Sequence, residues 1–527
     1  MASLGCTAAH PAVPHRLGHR RCSPRKRHSV LVVHAVSSRT RENNEASGIK
    51  NNIPTDGQPE RKHVVIVGGG MAGLGCLHAL RGIDTLDVTL LESKRVVGGR
   101  VRSKTALGAL QWDTGAAYFT TKNKNGPFAK ALDAAVDAGV VQLWDRDAEG
   151  DNVSKPGMSM GTASTSESNG RVTIDNASFI PFKKQKKQLF VGVPSAAAFP
   201  KFIAEQYIAA NFPEASWVGD NREIGVPEIL CGAHVDRVKE LGDGAGTFWP
   251  VHPHGSSPKK RWGFMTRCKE GGHMWYKPLE CDFVVFASNA FATHGLLQQM
   301  ELGNPLESGE TEINESSAGE TSGSDSVAAL SRLTDCASKA RSASCWSLTI
   351  AFDAPLNLKY DALKLTPPFT GHIVWLANES SKPGRGGAAQ AGWGYRWAEV
   401  GRAPTTGTGE CWVAQASPEW SARHLELNPT EAAEQLCAVF LSLIERDGVS
   451  GPKPVHVKAT RWRFAFPLID ENETDDHTKN NYLFEPALGV GACGDWVSGP
   501  RAGDAYESGA AMGNAVATHL VVKDVRE

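Results

Sequence analysis

No run of about 18 uninterrupted apolar residues occurs in the 527-residue chain, so nothing in it reads as a transmembrane helix. Neither charge predominates. The 56 Lys and Arg stand against 57 Asp and Glu, a formal net charge of −1, which leaves no basic footprint for nucleic acid and no polybasic membrane face. The 11 cysteines form no C-x-x-C pair and no Cys/His cluster. They read as reduced thiols, several of them core residues, rather than as disulfides or metal ligands. No second strand–glycine–helix unit is present for a separate NAD(P)H domain, and no conventional acid–base dyad can be picked out.

Acidic residues are missing altogether from Met1 to Arg41, while Arg16, Arg20, Arg21, Arg25, Lys26, Arg27, Arg39 and Arg41 supply positive charge. A basic, acid-free, Ser-containing leader has the composition of an organelle transit peptide. The Met-Ala-Ser start, with a processing point around His34-Ala35-Val36, favours chloroplast over mitochondrion. The alternative is a disordered basic tail. Residues 1–36 are therefore expected to be a transit peptide and 37–61 a linker.

What the chain does have begins at His63. A β-branched run, His63 to Val67, turns through Gly68, Gly70 and Gly73 in the spacing G-x-G-x-x-G and enters a helix-like stretch. In such a unit the first glycine makes the tight turn, the second lets backbone approach a pyrophosphate, and the third lets helix and strand pack closely. The pyrophosphate sits on the unpaired N–H groups of the helix start. A second apolar run, Val88 to Leu91, ends in Glu92, about 20 residues on, where an acid accepts hydrogen bonds from an adenosine ribose. The glycines alone are weak evidence, because Gly489-Val490-Gly491-Ala492-Cys493-Gly494 fits the same pattern by accident. There Asp495-Trp496 follows rather than an apolar helix start.

The continuation narrows the cofactor. Val97-Gly98-Gly99-Arg100, and then Asp113-Thr114-Gly115-Ala116-Ala117-Tyr118-Phe119, resemble the GG-R-x and D-x-G-A-x-Y-F segments of FAD-containing amine-oxidase-type flavoproteins. The resemblance is strongest to renalase and its bacterial and plastid relatives. It extends over roughly Lys62 to Lys523 and takes in Leu189 to Ser195, Ser381-Lys382-Pro383-Gly384-Arg385, Glu419-Trp420-Ser421 with His424, and Arg461-Trp462-Arg463-Phe464-Ala465. It also includes Gly494-Asp495 followed by Tyr506-Glu507-Ser508-Gly509-Ala510-Ala511. Two departures stand out: Ala197 and Phe199 replace a family Met and Leu, and Ser288-Asn289 replace the usual Ala-x-Pro ending of the strand at Cys281 to Ala287.

The resemblance implies FAD as cofactor and an α/β fold, with a Rossmann-like FAD-binding domain of the glutathione-reductase/amine-oxidase type beside a mixed-sheet α+β substrate domain. The FAD-binding domain would be assembled from residues 62–120, 225–300 and 480–523, and the substrate domain from 121–224 and 331–479. Residues 145–171 and 302–325, low in complexity, are expected to be disordered insertions. The cofactor-binding positions implied are Gly68, Gly70, Met71, Ala72, Gly73, Glu92, Gly98, Gly99, Arg100, Val235, Gly494, Asp495, Ser508, Gly509 and Ala510. The helix opened by Tyr506 would point its start at the flavin, favouring an anionic reduced form. Trp462, Trp496 and Tyr506 are pocket candidates, with simple packing the first reading of Trp462. Lys382 and Arg385 read first as solvated turn charges. The implied reaction passes a hydride from a small substrate, an aberrant dihydronicotinamide nucleotide or an amine, to flavin N5, with reoxidation by O2 or an organelle acceptor. A plastid desaturase or porphyrinogen-type oxidase, or a non-enzymatic relative of the Rab GDP dissociation inhibitors, are the alternatives.

Overall fold

The computed structural model describes residues 61–106, 110–144, 159–168, 171–181, 188–211, 229–241, 261–270, 273–300, 302, 320–358, 360–366, 372–385, 409–446, 453–469 and 480–524. The expected leader, the linker up to residue 60 and most of the second insertion lie outside the described residues.

Four consecutive buried residues, Val64 to Val67, can only form a strand covered on both faces. That strand, β1 (Lys62–Val67), lies between β2 (Leu86–Glu92) and β13 (Phe283–Phe286), in parallel with both. β9 (Ile229–Cys231) and β20 (Val490–Cys493) extend the parallel sheet outward, and β19 (Tyr482–Glu485) closes one edge antiparallel. The six-stranded order is β19-β20-β13-β1-β2-β9. Three separated pieces of chain thus supply one sheet.

The two-residue alternation of a strand sorts the side chains between two cores. Val64 and Ile66 face α1 (Met71–Ala79), α2 (Pro127–Asp137), α3 (Ala198–Asn211) and the long C-terminal helix α9 (Ala502–Asp524). Val65 and Val67 face a three-stranded antiparallel sheet and two helices. Those strands are β10 (Ala233–Glu240), β11 (Trp262–Glu270) and β12 (His273–Cys281); the helices are α4 (Ala290–Gln298) and α5 (Glu320–Lys339). The glycine pattern at Gly489 to Gly494 falls on β20 and the turn after it, and a four-residue helix, α8 (Asp495–Ser498), follows.

A seven-stranded mixed sheet forms the second domain, in the order β18-β14-β17-β16-β15-β6-β7. Its members are β6 (Ser159–Ser168), β7 (Arg171–Pro181), β14 (Arg341–Phe352), β15 (Ala362–Thr366), β16 (Ile373–Asn378), β17 (Glu410–Ala416) and β18 (Pro454–Leu468). α7 (Pro429–Arg446) covers one face, burying Ala432, Leu436, Phe440 and Leu443 against Trp346, Leu348 and Ile350. Each of the larger apolar side chains contributes about 1.5–3 kcal/mol there. A short helix, α6 (Pro418–Arg423), follows β17. Two small two-stranded antiparallel sheets, β3 (Ser103–Ala106) with β4 (Leu110–Asp113) and β5 (Val141–Leu143) with β8 (Phe190–Gly192), complete the strands.

Three boundaries differ from expectation. Residues 127–137 and 198–211, expected in the substrate domain, belong to the core of the parallel-sheet domain, because Phe128, Leu132, Phe199 and Ile203 bury against α1 and α9. Residues 331–339 likewise end α5, whose Leu333 and Ala337 pack beneath the parallel sheet. The insertion expected at 145–171 contains strand: β6 pairs with β15 in parallel and with β7 antiparallel. Strand pairing satisfies backbone groups whatever the side chains, so a Ser/Thr-rich segment can extend a sheet edge. Ser168 pairs with Arg171 across Asn169-Gly170, the dipeptide favoured in two-residue hairpins.

Candidate active site

One cleft of about 2300 Å3 runs between the carboxyl ends of the parallel strands and the face of the seven-stranded sheet opposite α7. Single-ligand pockets are usually about 300–1,000 Å3. This one has room for a dinucleotide and a second small molecule.

At its first end β1 turns into α1. Gly68 adopts φ +118°, and a Cβ on Gly73 would lie 1.8 Å from the Gly68 carbonyl oxygen, so helix and turn can meet only through glycine. At Gly70 an added Cβ would meet nothing within 4 Å. That open side belongs to the cleft wall, which Gly68, Met71 and Ala72 continue. α1 begins without any side-chain cap, so its first N–H groups are free to take a ligand acceptor. The Gly98–Gly99 loop packs behind this turn: the Gly98 N–H donates to the Gly69 carbonyl at 2.7 Å. Gly99 adopts φ +56°, close to Gly70 Cα.

Glu92, at the end of β2, is 6% exposed and lines the cleft. Its Oε2 accepts from the Gly69 N–H at 2.9 Å, and Oε1 accepts from the Lys94 N–H at 2.7 Å and the Ser93 hydroxyl. The carboxylate is thereby locked in orientation, with lone pairs to spare for ribose hydroxyls. Val235 on β10 lines the same cleft.

Midway, Arg100 donates to both oxygens of Asp495, at 2.7 and 2.6 Å, and to the Ala465 carbonyl at 3.2 Å. Such a two-pronged pair holds a guanidinium in one plane. Gly494 donates its N–H to the Ser508 hydroxyl, seating Asp495 beside the first turn of α9. Pro500, Arg501, Ala502, Gly503 and Ala505 line the cleft there. Where the family Ala-x-Pro is absent, Asn289 caps α4 by accepting from the Ala292 N–H, and Ser288 bonds the Thr293 hydroxyl at 2.9 Å.

The far end is floored by the seven-stranded sheet. Trp462 donates its indole N–H to the Thr114 carbonyl at 3.0 Å, and Gln415 donates to the Gly115 carbonyl at 2.9 Å. Both side chains line the cleft, so Trp462 packs and borders the pocket at once. Burial and contact with Tyr118 and Trp375 complete this wall. Cys345 also reaches it, but burial pushes its thiol up to about 12, which makes it a poor nucleophile.

Lys382 and Arg385 are not solvated turn charges. Their side chains are 0% and 3% exposed, and with Asp113 and Glu379 they form a closed four-charge cluster. Lys382 Nζ reaches Asp113 at 3.0 Å and Glu379 at 2.7 Å, and Arg385 pairs with both carboxylates. Asp113 further accepts from the Ser103 hydroxyl and the Ala196 N–H. Burial by itself raises the Asp113 carboxyl, but Lys382, Arg385 and the Ala196 N–H more than offset it and hold it at about 2. For Glu379 burial dominates and the carboxyl is pushed up. The cluster stands directly behind the Thr114–Tyr118 segment that borders the cleft, which it fixes rather than contacting a ligand.

Six expected positions lie away from the cleft. Ser508 accepts from the Gly494 N–H and donates to the Asn481 carbonyl, while Gly509 presses against the Ala72 carbonyl, where a Cβ would be 1.8 Å away, and Ala510 is buried in the same crossing of α1 and α9. Their small size serves helix packing, and α9 meets the cleft one turn earlier because it begins at Ala502 rather than Tyr506. Tyr506 bonds His78 inside the first core, and Trp496 donates to the Ser288 carbonyl within the second. Gly73 acts through packing alone. Sequence reasoning missed Trp375, Lys364, Gln415 and Tyr118 as cleft residues; Tyr118 alone carried a signal, being part of the quoted D-x-G-A-x-Y-F segment. Among the described residues no group of three or more His, Cys, Asp or Glu could hold a metal, and no helix is long and apolar enough to cross a membrane.

Residues 66–135 match the NAD(P)-binding Rossmann-like domain family. Among solved structures the chain is similar to a protein of Exiguobacterium sp. 255-15 assigned as a protoporphyrinogen oxidase. The identity is 11%, over 87% of this chain and 99% of that one, with a TM-score of 0.50. It is similar also to a putrescine oxidase redesigned in its cofactor binding, at 12% identity over 88% and 99% of the two chains, with a TM-score of 0.51. The chain has the amine-oxidase-type fold that these two oxidases represent, a Rossmann-like domain beside a mixed-sheet domain.

Proposed function

We propose that the chain is an FAD-dependent oxidoreductase that oxidises a small molecule held between the flavin and the seven-stranded sheet. The observation that carries this reading is the continuity of the cleft. It runs from Gly70 and Glu92, past Arg100 and Asp495, to the first turn of α9, and opens onto Trp462 and Gln415. The residues present fit the cofactor: an open glycine side at Gly70, uncapped N–H groups on α1, and an oriented carboxylate at Glu92 suit a pyrophosphate and a ribose. Gly494, Asp495 and Arg100 would hold the middle of the molecule, and the start of α9 would meet the flavin ring. FAD, once bound, supplies a two-electron acceptor for a substrate hydride.

The chain's own part is to bind, orient and exclude water. Thr114 and Gly115, braced by Trp462 and Gln415, set the width of the space over the cofactor. The positive end of α9 favours negative charge near its first turn. O2 or an organelle acceptor would take up the electrons. The leader composition supports a chloroplast destination.

The visible absorbance of the purified full chain tests this reading, taken anaerobically before and after a panel of amines and dihydronicotinamide isomers. A bound flavin bleached by either class supports it. Protein that binds no flavin overturns it and returns the non-enzymatic alternative.

A further inference from the structure

The face of the seven-stranded sheet that looks into the cleft carries one transverse row of residues. Lys364 on β15 is the register partner of Trp375 on β16, and Trp375 of Gln415 on β17. Gln415 in turn opposes Ser347 on β14, and Ser347 opposes Thr460 on β18. Directly opposed side chains on one face have Cβ atoms about 5 Å apart, so the row is a continuous strip.

Two groups in this strip are unspent. Trp375 is 7% exposed and borders the cleft, yet its indole N–H has no acceptor among the described residues, and the buried Ser347 hydroxyl also lacks a partner. A buried donor left unsatisfied is costly unless a ligand completes it. Beside Trp375 the Lys364 side chain lines the same cleft and meets no carboxylate among the described residues. An indole N–H and an ammonium are donors with no acceptor capacity. Lys364 is exposed on the cleft side and solvated, so the indole N–H is the donor left wanting an acceptor, and the neighbouring ammonium favours one that is negatively charged.

The other end of the strip has the same sign. Lys104 donates to the Thr460 hydroxyl at 2.6 Å, and Arg102 borders the cleft next to it. Partial burial, then Arg102 and Lys458, press the Lys104 ammonium below its ordinary value. No carboxylate among the described residues pairs with Arg102 or Lys104. The acids of the cleft are largely engaged elsewhere: Asp495 by Arg100, Glu92 by backbone amides and Asp236 by Arg267. Glu419, at the start of α6, is the exception.

We propose that Trp375 and Lys364 form an anion subsite that anchors a carboxylate or phosphate of the substrate against the Tyr118 ring. The substrate of the redox site proposed above is then an anion and not an amine. The inference rests on that reading for what happens to the ligand, but the subsite itself does not need the cofactor.

Isothermal titration of the full chain tests it with three ring probes that differ in the charged group: benzoate, phenyl phosphate and benzylamine. Benzoate or phenyl phosphate is expected to bind, the tighter of the two telling carboxylate from phosphate. Lys364→Met should weaken that binding about 10- to 100-fold and Lys364→Arg should largely keep it. Trp375→Phe, which keeps the ring and removes the N–H, should weaken it about tenfold. Lys364 is solvent-facing, so its variants fold, and circular dichroism verifies the Trp375→Phe protein. Preferential binding of benzylamine, lost in Glu419→Gln, overturns the proposal, as does failure of both anions to bind or indifference of anion binding to Lys364→Met. Flavin absorbance of the same sample is read separately. Protein without flavin whose anion binding depends on Lys364 keeps the subsite and drops the redox reading, whereas a bleachable flavin with amine preference does the reverse.

Discussion

The guanidinium of Arg100 and the carboxylate of Asp495 meet in a two-pronged ion pair although 395 residues separate them in the chain. The pair fastens the loop behind the glycine turn to the last turn before α9, and a third bond to the Ala465 carbonyl ties in β18. Arg100 is 35% exposed, so solvent screening keeps its share of overall stability to about 1 kcal/mol or less. Arg100→Ala should therefore lower the melting temperature little while, on the FAD reading proposed above, most of the flavin is lost on desalting. A large loss of stability with flavin retained would contradict this assignment.

Two glycines at opposite sides of α1 should respond oppositely to alanine. Gly509→Ala drives a methyl group into the Ala72 carbonyl in the crossing of α1 and α9 and should cost about 1–3 kcal/mol or more in chemical denaturation. Gly70→Ala meets no protein atom and has an ordinary backbone geometry, φ −76°, so stability should stay within about 0.5 kcal/mol. Its methyl group enters the cleft, and flavin affinity should fall. Equal destabilisation by the two changes would mean that Gly70 does not face open space.

Removing one member of the buried cluster leaves the others uncompensated. Lys382→Met should destabilise the protein by about 3–5 kcal/mol, seen as a shift of the urea midpoint at constant slope. The acid limb carries a sign that can be checked. The folded state holds Asp113 at about 2, below its ordinary 3.8, so its contribution is present above 3.8 and is lost as pH falls toward 2. The stability gap between wild type and Asp113→Asn should narrow over that window. Glu379, raised by burial, acts in the opposite sense, its contribution being full below 4.5 and lost as pH rises.

His78 should stay neutral well into acid. Burial, and then Arg81, lower its imidazole to about 4, while Nδ1 bonds the Tyr506 hydroxyl. The folded value lies below the ordinary 6.5, so its contribution to stability is present above 6.5 and lost as pH falls through about 4. A proton NMR titration should find this imidazole unprotonated at pH 5. In Tyr506→Phe both ring nitrogens would lack partners among the described residues, because Nε2 has none already, and stability should drop by about 1–3 kcal/mol.

The sequence by itself determined the parallel sheet and the glycine-turn end of the cleft. β1, the glycine turn, α1 and Glu92 follow one another within thirty-one residues, from Lys62 to Glu92, and each constraint is local: apolar strand, forced glycine, oriented acid. The return of the chain at Gly494-Asp495 was legible for the same reason, since a short motif carries its own backbone requirement. Tertiary structure decided everything that depends on a partner from elsewhere. Lys382 and Arg385 look solvated until Asp113, more than 260 residues away, supplies the opposite charge. Gly509 and Ala510 look like cofactor contacts until α1 arrives to fill the space beside them. Whether α2 and α3 serve one domain or the other is decided by which core receives their apolar faces. The opposition of Lys364 and Trp375 is a matter of strand register, and no spacing within either strand encodes it.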